Sequence, residues 1–221
     1  MRIIIVCLIL AFAAYGCKKN EVVLNEDHSS KYQPLALDHT WIYQVDSIYF
    51  HGNGSQKPDT FHFLQRNKIA SSFTNEQGQL SYKVTRSVKK DSFSDWVFQR
   101  NYSLTKTEID LLQTFEDETT IEFTLPFVLL KEWDCNQFNN RNSVDCYFEE
   151  IHTPMDIGTQ NFDSTSTAYF EQEKNAVNSF FKRKTYAANV GLVLQYIEEI
   201  NQIDSDPRGT KYTLTLLSFE K

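Results

Sequence analysis

The sequence predicts a single, mainly antiparallel β domain, folded as a sheet, half-barrel or sandwich with one short helix and two related halves. Three observations carry this. Apolar residues recur at every second position in one segment after another, turn-forming clusters separate the segments, and 17 Phe, 11 Tyr and 3 Trp supply rings suited to a half-buried pleated surface. The first strand is marked by Trp41, Tyr43 and Val45, the second by Phe61 and Phe63, and the third by Tyr82, Val84 and Val88. Trp96, Phe98, Tyr102 and Leu104 mark the next, followed by Ile121, Phe123 and Leu125. Leu192, Leu194 and Tyr196, then Tyr212, Leu214 and Leu216, repeat the alternation near the C-terminus. Turn chemistry lies at His51–Gly54, Asn75–Gly78, Asn139–Asn142 and Asp204–Gly209. The helix is expected over 175–188, where Ala176, Phe180, Phe181 and Ala187 approximate a 3.6-residue period around Lys182-Arg183-Lys184.

Before the domain, Arg2 and the apolar run Ile3–Ala14 have the layout of a secretory signal, shorter than the ~20 residues a spanning helix needs. Ala14-Tyr15-Gly16-Cys17 closes it as a lipobox does, so residues 1–16 read as a lipoprotein signal peptide and Cys17 as the lipidation site. Two or three palmitate-type chains there would anchor the protein permanently to the outer membrane. The polar stretch 17–31 reads as a tether and 32–221 as the domain. An acidic run after Cys17 is missing from Lys18-Lys19-Asn20-Glu21, which favours the periplasmic face over the cell surface. One positive charge leaves with the signal, so 22 basic residues become 21 against 29 acidic ones, a net charge of about −8 that argues against nucleic acid as a partner.

Cys7 departs with the signal and Cys17 takes the lipid, leaving Cys135 and Cys146. A two-residue hairpin loop at Asn140-Arg141 would set these two directly opposite, in reach of a disulfide worth ~3 kcal/mol in an oxidising compartment. A redox or metal-binding pair is the alternative, without a Cys-x-x-Cys motif or a neighbouring histidine to support it. An internal echo also stands out. Pro34-Leu35-x-Leu37-x-x-x-Trp41 returns 92 residues later as Pro126-Phe127-x-Leu129-x-x-x-Trp133, either a duplicated half-domain or two extended segments that each open with a proline and bury a tryptophan.

These segments carry a resemblance. Pro34, Leu35, Trp41 and Tyr43 match a Pro-Leu-x-x-Gly-x-x-Trp-x-Tyr pattern, Trp133-Asp134-Cys135-Asn136 a Trp-Asp-Gly-Asn element, and Tyr186-Ala187-Ala188-Asn189-Val190-Gly191-Leu192-Val193 a Tyr-Ala-x-x-Val-Gly-Leu-Val element. In these the chain resembles a family of uncharacterised envelope lipoproteins typical of Bacteroidota, which implies an envelope address and brings no activity with it. Asp38 and Leu130 stand where the pattern has glycine before each tryptophan. Asp tolerates a left-handed backbone and Leu does not, so the second turn is expected to differ in shape from the first.

No nucleophile elbow, phosphate loop, dinucleotide fingerprint or calcium loop is present, and the five histidines show no ligand spacing, so no metal, cofactor or catalytic residue is assigned. Glu149-Glu150 and Glu198-Glu199 read as solvated charge. Asp46-Ser47-Ile48 and Asp163-Ser164-Thr165 look like O-glycosylation acceptors. The expectation is a noncatalytic accessory or structural lipoprotein that meets an envelope partner through a sheet edge or face. The rival is a half-barrel carrier of a lipid or other apolar ligand, with a pocket lined by Trp41, Trp96 or Trp133.

Overall fold

The computed structural model describes residues 29–221 except 53–55, 176 and 204–205. The signal peptide, Cys17, most of the tether and part of the His51–Gly54 turn lie outside the described residues. Twelve strands follow one another: β1 (Thr40–His51), β2 (Asp59–Thr74), β3 (Leu80–Lys89), β4 (Val97–Lys106), β5 (Asp110–Phe115), β6 (Glu118–Thr124), β7 (Trp133–Asp134), β8 (Asp145–Ile157), β9 (Gln160–Lys174), β10 (Asn178–Ala187), β11 (Gly191–Ile203) and β12 (Asp206–Glu220). Each pairs antiparallel with its neighbours in sequence except β6 with β7, and β1 pairs with β12, so the order runs β6 to β1 and on through β12 to β7. Six strands follow each Pro-to-Trp segment.

This is a nearly closed barrel, and its seam lies between β6 and β7. There the Ile121 N–H donates to the Cys135 carbonyl at 2.9 Å and the Asn139 side-chain amide donates to the Thr119 carbonyl at 2.9 Å. The Leu130 N–H donates to the Phe148 carbonyl, tying the segment before β7 onto β8. The pairing of β1 with β12 leaves only β6 and the two-residue β7 as edge strands.

The alternation read from the sequence sets the inner wall. Trp41, Tyr43 and Val45 of β1 are buried, opposite Asn67, Gln65 and Phe63 of β2 and Phe219, Leu216 and Leu214 of β12. They join Ile69, Val84, Leu104 and Val193 in one apolar cluster. A second cluster packs the seam, with Phe123, Phe127, Trp133, Phe148, Phe170 and Tyr186. Burying each such ring contributes roughly 1.5–3 kcal/mol. The chain enters through a short 3-10 turn at Ser29–Lys31, and Tyr32 beyond it is fully buried between Phe127 and His152. The described residues thus include the last part, 29–31, of the stretch read as tether.

The expected helix over 175–188 is a strand. In β10, Phe180, Lys182, Lys184 and Tyr186 alternate onto the inner face, opposite Glu199, Ile197, Gln195 and Leu192 of β11. Aromatic and β-branched residues favour the pleated surface, and a barrel with a polar interior accepts lysines on the buried side, a pattern that mimics a helical period. Among the described residues the 3-10 turn is the only helical element.

A second correction concerns the Pro-to-Trp echo. Asp38 and Leu130 both adopt positive φ, 66° and 58°, so the two turns share a backbone shape although one residue is leucine. The Asn75–Gly78 turn forms as expected, with the Asn75 side-chain oxygen accepting from the Gln77 and Gln79 N–H groups. β12 already begins at Asp206, inside the last expected turn, and Asp204 and Ser205 lie outside the described residues.

Candidate functional site

The barrel encloses a lumen of about 350 Å³. Its base is stopped by the N-terminal segment and the turn before β11. The Trp41 indole N–H donates to the Val190 carbonyl at 2.6 Å, and the Tyr43 hydroxyl donates to the Leu192 carbonyl at 3.1 Å. Gln33 reaches in from the segment before β1 and is also buried.

Above this base the wall is polar. On β2 and β12 the Tyr212 hydroxyl donates to Gln65 Oε1 at 3.2 Å, and Gln65 Nε2 donates to Asn67 Oδ1 at 3.3 Å. Arg86 Nε donates to the same Asn67 oxygen at 3.2 Å. Gln65 and Asn67 are buried, so their amides are fixed and can hold Arg86 in place. The Arg86 guanidinium lies 5.3 Å from the Tyr102 ring centroid, and Arg100 lies 4.8 Å from that of Phe115. Gln99, Gln113 and Gln195 add further amides to the wall.

A buried ion pair sits deeper. Lys184 of β10 meets Glu122 of β6, with only 8% and 5% of their side chains exposed, and the Tyr186 hydroxyl donates to Glu122 Oε2 at 3.0 Å. Burial pushes the Glu122 carboxyl up, but Lys184, Lys182 and the two hydrogen bonds outweigh it and hold it below its ordinary value. Lys184 is pushed down to about 8 by burial, with Lys182 and Arg86 adding to the fall and Glu122 opposing it. The partners' shifts disagree about the strength of the pair, and the surrounding charge explains why. Glu122 is bathed in cations, whereas Lys184 has one anion and two further cations nearby. We take the pair as ionised at neutral pH.

The tryptophans expected to line one pocket are dispersed. Trp41 borders the lumen. Trp96 precedes β4 and lies under Arg66 and Lys89, at 4.6 and 4.8 Å. Trp133 is packed into the seam against Phe148 and Phe170, and its indole N–H has no partner among the described residues.

Cys135 and Cys146 are buried free thiols joined by a side-chain hydrogen bond. That bond lowers the Cys135 thiol, while burial pushes Cys146 far up. They are not directly opposite. Trp133 faces Cys146 in the β7–β8 register, and the Cys135 N–H donates to the Val144 carbonyl, because the connection spans 135–144 rather than a two-residue loop.

The remaining polar candidates are structural. The Tyr32 hydroxyl contacts His152 Nδ1 and the half-buried Ser164 Oγ, both at 2.8 Å. His39 packs edge-on against Trp41 and Phe219. Glu149 pairs with Arg183, and Glu198 with Lys211 and the Tyr196 hydroxyl. Glu199 is exposed, as solvated charge is, and also borders the lumen. The described residues contain no group of three or more potential metal ligands. The sequence reading missed Gln65, Asn67, Arg86, Arg100, Glu122 and Lys184. Their only signal is polar residues at the inward positions of strands already marked by their apolar neighbours.

A separate, shallow and mainly apolar groove of about 1100 Å³ runs beside the base, past Leu35, Leu80, Tyr82, Ile109, Leu112 and Leu125.

No family model and no curated protein sequence matches the chain. Among solved structures, it resembles a Bacteroides fragilis protein, described as exported, with a YmcC-like fold. The TM-score is 0.51 at 8% identity, covering 86% of this chain and 99% of that one. A Parabacteroides distasonis protein described as a lipoprotein superposes with a TM-score of 0.49 at 9% identity, over 86% of this chain and 98% of that one. At these identities the likeness is one of fold, and it comes from the first of the two.

Proposed function

We propose that the protein is a noncatalytic lipoprotein of the cell envelope, anchored through Cys17 in the outer membrane and facing the periplasm, whose barrel is an accessory module that binds a small polar ligand in its lumen. The observation that carries the binding role is the wall itself. Buried amides, tyrosine hydroxyls and arginines converge on a stopped cavity of about 350 Å³, at the lower end of the size range of small-molecule sites. A barrel needing only stability would fill such a space with apolar side chains, because each buried polar group costs free energy unless it is paired. The lipobox-like Cys17 and the exported protein of similar fold support the address.

The test is mass spectrometry of the protein purified from its native envelope under nondenaturing conditions and then extracted. A stoichiometric polar molecule supports the lumen reading, and an acyl-modified N-terminal peptide beginning at Cys17 supports the anchor. The apolar-carrier reading keeps one observation in its favour, the groove past Leu35, Leu80 and Ile109. Recovery of a lipid instead of a polar molecule, lost on introducing charge at Leu112, would transfer the binding role there.

A further inference from the structure

The polar lumen is unusual in the sign of its charge. The chain as a whole carries −7, yet five cations, Arg86, Arg100, Arg141, Lys182 and Lys184, line the lumen and the neighbouring pocket that shares Glu122, Ile197 and Glu199 with it, against two carboxylates, Glu122 and Glu199. Glu122 is committed to Lys184. Glu199 lies on β11, four strands around the ring from β3 and five from β4.

Arg86 and Arg100 are directly opposed partners in the β3–β4 ladder, and both border the cavity. Like charges facing each other across antiparallel strands are destabilising. Neither arginine has a carboxylate partner among the described residues. Each is instead held against a ring, Arg86 by Tyr102 and Arg100 by Phe115, and Arg86 is also tied through Nε to the buried Asn67. These contacts, with a further side-chain hydrogen bond between Arg86 and Tyr102, fix the guanidinium planes at the cavity wall. Arg100 is exposed and Arg86 half-buried, whereas the Glu122–Lys184 pair below is closed off. The arginines therefore stand where an entering solute meets them first.

We propose that Arg86 and Arg100 form an oxyanion site, and that the lumen's ligand is a polar small molecule carrying a carboxylate, sulfate or phosphate. Two fixed guanidinium forks match the planar, multi-oxygen face of such a group, and its charge relieves the repulsion between them. The amides of Gln99, Gln113 and Gln195 are left to meet the neutral, hydroxyl-bearing part of the ligand. This inference rests on the reading of the lumen as a binding compartment.

The test follows the arginine Nε–H and glutamine side-chain resonances of the protein by NMR. Phosphate, sulfate, chloride and neutral glucose are titrated at constant ionic strength. The expected result is a saturable shift of Arg86 and Arg100 with phosphate and sulfate, with chloride binding about tenfold or more weaker. Arg100→Gln and Arg86→Gln should each abolish the saturable response of the remaining arginine, and Arg183→Gln, at an exposed pair with Glu149, should leave it unchanged. Shifts that do not saturate, or that chloride reproduces equally, overturn the oxyanion site. If glucose alone perturbs Gln65 and Gln113 while the arginines stay silent, the compartment stands and only its anion selectivity falls. Silence toward every probe overturns both.

Discussion

Replacing Lys184 by Met removes one member of the buried pair and leaves Glu122 ionised, with Tyr186 as its remaining hydrogen-bond donor. Unit charges in contact at an effective dielectric of about 20 attract by roughly 4 kcal/mol, and breaking a buried pair from one side typically costs about 3–5 kcal/mol. In a domain of this size that is on the order of 10 °C in Tm. Urea denaturation of Lys184→Met, Glu122→Gln and the double variant measures it. The double variant should be more stable than Lys184→Met alone, since no charge is then stranded. The pH dependence gives an independent reading. Glu122 titrates lower in the folded than in the unfolded chain, so its contribution is fully present above the unfolded value of about 4.5 and is lost as pH falls through the depressed folded one. Glu122→Gln should flatten that acid limb. Lys184 falls to about 8 in the folded protein from 10.5, so between those values the unfolded chain holds more protons. Its contribution to stability therefore rises with pH across that window, and Lys184→Met should abolish the rise. A cost below about 1 kcal/mol for Lys184→Met, with the acid limb unchanged, would refute the reasoning and show the pair to be solvated through the lumen.

Four further outcomes are expected. Leu130→Gly should stabilise the protein by about 0.5–1 kcal/mol in urea, because Leu130 is 65% exposed and sits at φ 58°, where glycine escapes the side-chain penalty at some entropic cost. Gly209→Ala should destabilise it by roughly 2–4 kcal/mol by the same measurement. Gly209 has φ 134°, and an added Cβ would lie 1.9 Å from the Glu199 carbonyl oxygen of the neighbouring strand. Trp41→Phe should cost about 1–2 kcal/mol more than Trp133→Phe, since only the first strands a carbonyl, that of Val190, and the second removes an unpaired donor. Oxidative purification should join Cys135 and Cys146 with the loss of two hydrogens in mass and a gain of about 3 kcal/mol, whereas two thiols alkylated in the unfolded, oxidised sample would refute the bridge.

The strands were legible because their inward residues near the base are apolar. Trp41, Tyr43 and Val45 alternate against a polar outer face, and period two is then unmistakable. Legibility fails where the inward face turns polar. Lys182 and Lys184 made β10 look like the charged step of a helix, although they face the interior, and Arg86, Gln65 and Glu122 gave no pattern at all. A sequence assigns polarity but not side, and only the closed ring reveals which polar residues share a cavity. The Pro-to-Trp echo was visible as spacing. Its shared left-handed turn was hidden because leucine at position 130 argues against the conformation it adopts.

Among the described residues, the ring of strands is hooped by eleven ladders, yet between β6 and β7 the main chain is latched by the single bond from Ile121 to Cys135. The barrel therefore has a weakest stave in the middle of its sequence rather than at its termini, which the β1–β12 ladder locks together. Parting that latch asks for no strand to unfold, and it opens the lumen along its flank, where Glu122 stands on the parting strand itself. Amide exchange should report it first at Ile121, well ahead of Val45 in the central ladder.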